Sequence, residues 1–254
     1  MFIPISDDNS DRNLTPYVNY ILIAINILVF VFFQGCGQNE KFTYSFSTVP
    51  EEIVTGRDIV TGDKTVKDPV SGSTFLQPGL GETPSPVYIT LLTSMFMHGG
   101  IAHLLGNMLF LWIFGDNIEN RIRHLRYLIF YLLCGFIASL SHVALSALTD
   151  ANMLIPSLGA SGAISGVMGG YILLFPKNRV NLLMFRMLMP VPAYVALGLW
   201  FLFQLISGIG ILGEGSQGGG VAYAAHIGGF IAGLVLIKFF EIGVKRSEGG
   251  LFGR

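Results

Sequence analysis

Residues 156–175 read P-S-L-G-A-S-G-A-I-S-G-V-M-G-G-Y-I-L-L-F. From 158 to 175 the run carries no charge and would form a helix about 27 Å long at ~1.5 Å per residue. That just crosses a hydrocarbon core of ~30 Å. Gly162, Gly166 and Gly170 recur at four-residue spacing, so one face has no side-chain bulk and neighbouring helices can approach closely. Ser161 falls in the first turn, where backbone N–H groups lack intrahelical partners and the helix dipole is positive. Two readings follow. Small residues in membrane helices ordinarily serve packing, which would make the serines incidental. Alternatively, Ser161 is a nucleophile with anion-stabilising donors beside it.

Composition sets the solvent. The chain has 254 residues, 52% hydrophobic and 12% charged, with a mean hydropathy of +0.61. Charged residues make up about a quarter of ordinary globular chains. Half that share, with long charge-free runs, describes a polytopic membrane protein and excludes a soluble one. The net charge of -1 and the lack of a basic, aromatic-rich tract give no reason to expect nucleic acid. Cys36 and Cys134 form no disulfide framework or metal spacing.

Working outward, six apolar runs are expected to span: 17–33, 101–118, 127–148, 158–175, 189–212 and 221–240. The fold class is therefore an all-α membrane protein, a six-transmembrane-helix bundle with a large first outer loop at 34–89. Residues 1–16 read as a polar cytoplasmic tail without the basic start and cleavage site of a signal peptide, 17–240 as the membrane domain, and 241–254 as a second cytoplasmic tail. Within the loop, aromatic residues such as Phe42 and Phe46 suggest an interfacial first half. The turn-rich 55–65 stretch suggests a hairpin. The fifth run is expected to start at a kink formed by Pro190 and Pro192.

Lys and Arg set the orientation. With the N-terminus inside, the inner segments hold Arg12, Arg121, Arg123, Arg126, Lys177, Arg179, Arg186, Lys238, Lys245, Arg246 and Arg254, eleven of the chain's fifteen. The other four lie in the long loop, and the short outer connections hold none.

That orientation brings polar residues to one depth. Ser161, His226, His103 and Asn107 all fall in the outer layer, on three different spans. His103 and Asn107 are four apart and share a helix face. Both donate hydrogen bonds while neutral, as an oxyanion site in a low-dielectric layer requires. Neutral imidazole at His226 is a suitable base for Ser161. With the nearest acid, Glu214, about three turns away, the pattern is a Ser–His dyad. Each residue also has a structural reading: His226 as a packing histidine, His103 and Asn107 as interhelical glue, or His98, His103, His142 and His226 as metal ligands, against which no carboxylate or thiolate shares the layer. His98 stands at a helix entrance and either helps order the site or sits at the interface. No cofactor and no metal are expected.

The motifs G-A-S-G (159–162), A-H-I-G-G (225–229) and H-G-G-I-A-H-L-L-G-N (98–107) together resemble the rhomboid family of intramembrane serine proteases. The resemblance covers about residues 17–240. It implies Ser161 as nucleophile, His226 as general base, and His103, Asn107 and the Ser161 N–H as oxyanion stabilisers. The substrates would be transmembrane proteins cut near the outer face of a bacterial plasma membrane, with access past the fifth span beside the glycine-rich 213–220 segment. Some members carry a Tyr one turn after the nucleophile, packed on the catalytic histidine. Here that position is Ser165, so another group must orient His226, with Tyr223 and Tyr171 as candidates. A Trp-Arg pair found in the first outer loop of some members is absent from 34–89. Two other classes remain to be weighed: a non-catalytic rhomboid-like binder and a small-solute transporter.

Overall fold

A computed structural model describes residues 3–67, 74–151, 153–184, 187–214 and 223–244. Most of segment 213–220, Arg186 and the tail beyond 244 therefore lie outside the described residues. The elements in chain order are β1 (Ile3–Asp7), α1 (Tyr17–Leu28), α2 (Glu40–Ser45), α3 (Pro50–Thr55), β2 (Lys64–Lys67) and β3 (Thr74–Gln77). They continue with α4 (Thr90–Thr93), α5 (Ile101–Ile122), α6 (His124–Thr149), α7 (Ser161–Leu174), β4 (Arg179–Met184), β5 (Met187–Pro192), α8 (Ala193–Glu214) and α9 (Tyr223–Glu241). The protein is a bundle of apolar helices. Helices α5, α6 and α9 are long and apolar enough to cross a membrane by themselves, whereas 17–33, α7 and the first part of α8 are shorter apolar helices.

Helix α7 can be short because protein surrounds it. Residues Gly162 through Tyr171 are all buried. Its fourteen residues span about 21 Å at ~1.5 Å each. Leu158, Gly159 and Ala160, expected within the helix, form the loop that leads into it, so Ser161 is the first helical residue. Helices α7 and α9 meet backbone to backbone. A Cβ on Gly233 would overlap the carbonyl of Gly166, and one on Gly229 that of Gly162. No side chain larger than hydrogen fits there, and this contact brings the start of α7 beside the start of α9.

The two ends of the bundle differ. At the end away from Ser161, β1, β4 and β5 form an antiparallel sheet in the order β1-β4-β5. Two expectations change here. The polar tail contributes strand β1, and Pro190 and Pro192 lie in β5 rather than kinking α8. Among the described residues strand β5 pairs only with β4, and an edge strand tolerates proline because the missing N–H can face away from the ladder. The hairpin expected at 55–65 is displaced to β2 and β3.

Polar side chains tie this end together. Pro16 precedes α1 without a side-chain cap, and Glu119 of α5 supplies one, accepting the N–H groups of Val18 at 2.9 Å and Asn19 at 2.7 Å. Asn19 donates to the Leu111 carbonyl at 3.0 Å and accepts from the Tyr127 hydroxyl at 2.7 Å, which joins α1, α5 and α6. Arg12 pairs with Asp116, and Arg121 with Glu241. Arg126 donates to the carbonyls of Phe240 and Ile242 at 2.9 and 2.8 Å, closing the C-terminal end of α9 as a cation does best.

Candidate active site

At the other end, Ser161 Oγ lies 2.8 Å from His226 Nε2. Ser161 is the first residue of α7 and His226 is in the first turn of α9. The glycine contacts between these helices set the separation. Ala160 offers no side-chain cap to α7, so it does not take up the first-turn N–H groups, which lack intrahelical partners. Ser161, His103 and His226 are each half-buried, and they line a cavity of about 400 Å³ with Asn107, Trp200 and Gln204.

His103 and Asn107 come to the same cavity from α5. Gly159 lies between them and the serine, with φ at +118°, a backbone region that favours glycine. A Cβ there would sit 2.8 Å from His103 Nε2 and 3.6 Å from Asn107 Nδ2. Glycine therefore vacates the space that both donors face. Among the described residues, the buried Asn107 Nδ2 has no hydrogen-bond partner. Buried donors are nearly always satisfied, so one aimed into a cavity beside a serine is suited to an incoming oxygen.

The long loop holds this arrangement from behind. Thr48 and Ser157 exchange backbone hydrogen bonds at 2.9 and 2.8 Å, and the Gly159 N–H donates to the Ser94 carbonyl at 2.9 Å. Gln34, just past α1, clamps His98: it accepts the His98 N–H at 3.0 Å and donates to the His98 carbonyl at 2.8 Å. The His98 ring, fully buried, stands edge-on to His103 with centroids 5.2 Å apart. His98 thus packs behind His103 and is not interfacial.

Of the two tyrosine candidates, Tyr171 does not reach the base, and Tyr223 meets its ring only edge-on. Tyr171 lies toward the other end of α7, where its hydroxyl donates to Asp7 at 2.5 Å. Tyr223 stands edge-on to His226 at 6.4 Å between centroids. The Nδ1 of His226 instead lies 2.7 Å from Gln204 Oε1 on α8. Sequence reasoning missed Gln204, although an uncharged amide inside an apolar run was the available signal. Ser165 turns its hydroxyl back onto the Ser161 carbonyl at 2.6 Å.

The family model for the Rhomboid domain matches residues 86–241. The chain is 33% identical over 160 residues to "Rhomboid protein 1, mitochondrial" of Saccharomyces cerevisiae, covering 63% of this chain and 44% of that protein. It is 30% identical over 164 residues to "Rhomboid protease GluP" of Bacillus subtilis, covering 65% and 27%. It is also 31% identical over 123 residues to "Inactive rhomboid protein 1" of Drosophila melanogaster, covering 46% and 8%. The matched region thus spans less than half of each of these relatives. Intramembrane serine proteolysis is typical of the family, which also includes inactive members. With a Rhomboid domain over most of its length, this integral membrane chain belongs to the rhomboid family.

Proposed function

We propose that the protein is an intramembrane serine endopeptidase that cuts transmembrane substrates through a Ser161–His226 dyad. The single observation carrying this reading is the 2.8 Å approach of Ser161 Oγ to His226 Nε2 beside an unpartnered amide donor of Asn107. Ser161 Oγ attacks the scissile carbonyl while its proton passes to His226 Nε2. The oxyanion receives hydrogen bonds from Asn107, His103 and the Ser161 N–H. As the C–N bond breaks, His226 returns the proton to the leaving amine. Water, deprotonated by the same ring, then cleaves the acyl-enzyme and frees Ser161.

The distribution of Lys and Arg supports an orientation with both termini in the cytoplasm. A short α7 then leaves Ser161 recessed by about 9 Å from the outer face of a ~30 Å core. The membrane assigned is a bacterial plasma membrane, and substrates enter past α8, whose Leu199, Leu202, Phe203 and Ile206 are exposed. A disulfide crosslink between α8 and α5 that left cleavage intact would contradict that route.

Reconstituted enzyme is expected to cut a reporter transmembrane helix carrying small, helix-destabilising residues, and Ser161→Ala and His226→Ala to leave it whole. No cleavage by any of the three would favour a non-catalytic role, as the name of the inactive relative suggests, and equal cleavage by all three would mean that Ser161 and His226 do not carry the reaction.

A further inference from the structure

We infer that Gln204 is the positioning residue of the reaction, holding His226 in the tautomer that can accept the Ser161 proton. The inference rests on the protease reading above and adds a third member to the dyad.

A neutral imidazole carries one proton. For Nε2 to accept from Ser161, that proton must be on Nδ1, and Nδ1–H then needs an acceptor. Gln204 Oε1 lies 2.7 Å from Nδ1, and the Gln204 residue is 6% exposed. The reverse arrangement, with the Gln204 amide donating to Nδ1, would put the ring proton on Nε2 and aim it at Ser161, where it blocks the reaction. Trp200 is one turn earlier on α8 and so shares the Gln204 face. Its ring centroid is 6.0 Å from that of His226, so α8 presents both an acceptor and a wall to the imidazole.

The choice of an amide has a physical reason. A carboxylate here would sit as an uncompensated buried charge whenever the ring is neutral, which is costly in a low-dielectric layer. An amide oxygen avoids that cost, yet its dipole still favours the imidazolium formed during proton transfer. Helix α7 supplies no substitute, since the Ser165 hydroxyl is committed to the Ser161 carbonyl.

The test is ¹⁵N NMR of His226 in the full-length protein in lipid nanodiscs, paired with rates of fluorophosphonate labelling and reporter cleavage. Wild type is compared with Gln204→Met, similar in shape without an acceptor, and Gln204→Glu, which accepts but cannot donate when ionised. Wild type is expected to hold the proton on Nδ1. Gln204→Met is expected to show mixed tautomers and a kcat lower by about 10- to 100-fold with KM little changed, less than the ~10⁴ lost when a charged orienter is replaced. Gln204→Glu should keep the Nδ1–H tautomer, with the acid limb of its rate profile displaced to higher pH because the carboxylate favours the charged ring. A single Nδ1–H tautomer and wild-type rate in Gln204→Met would overturn the proposal. So would equal loss of rate in both variants at every pH, which marks a packing role. If wild type is not labelled, the protease reading fails, while the tautomer comparison still decides whether Gln204 positions the ring.

Discussion

At the end of the bundle that carries the small sheet, polar groups are matched to one another. Arg12 meets Asp116, Arg121 meets Glu241, and Glu119 closes the first turn of α1. At the Ser161 end, Asn107 Nδ2 has no partner among the described residues, and Ser161, His226 and Gln204 bond in a row along the wall of a cavity. The first end spends its polarity on holding helices together. The second leaves donors free at a cost in stability, which is the pattern of a site built for a reacting group.

That contrast can be broken in four ways. The largest effect is expected from Ser161→Ala or His226→Ala: kcat for a reporter substrate should fall by about 10⁴-fold or more, with thermal unfolding nearly unchanged. Next, Asn107→Ala should lower kcat by about 10²- to 10³-fold, as loss of one oxyanion donor does elsewhere. Its melting temperature should hold or rise, because the amide removed had no partner to lose. A clear drop in melting temperature with activity intact would return Asn107 to a packing role.

The third variant acts at the opposite end. Glu119→Ala strands the buried Asn19 N–H, at ~1–3 kcal/mol, and the half-buried Val18 N–H at less than that, so unfolding should be easier by about 2–4 kcal/mol. Labelling of the protein that remains folded should proceed at the wild-type rate.

The most local effect is a pH dependence at β1. Burial, the largest cause, raises the Asp7 carboxyl from 3.8 to about 7, opposed by the hydrogen bond from Tyr171. Docking of the strand is therefore favoured in full below 3.8 and loses that contribution as pH rises to about 7. Hydrogen exchange at residues 3–7, corrected for intrinsic rates, should show protection falling over that range and then levelling. Asp7→Asn should remove the slope.

Legibility in the sequence followed the same division. The bundle was readable because a backbone in hydrocarbon must satisfy its polar groups internally, as apolar helices do, and the four candidate residues stood out because polar groups at one depth on three spans are rare. The apolar run from Leu158 placed the start of α7 three residues early, at the loop that leads into Ser161. Strand β1 was hidden because five residues do not announce a partner more than 170 positions away; its pairing with β4 is non-local. Pro190 and Pro192 suggested a kink since their edge position depends on that same sheet. Gln204 was overlooked because nothing in the apolar run around it shows which residue faces His226. The clamp of Gln34 on His98 is likewise a matter of three-dimensional arrangement.

The most direct test of the central claim is intact-protein and peptide mass spectrometry after treating the membrane-embedded chain with a fluorophosphonate. A single phosphonyl adduct on Ser161, absent in His226→Ala, is the expected result. No adduct on Ser161, or the same adduct at the same rate without His226, would contradict a serine activated by that histidine.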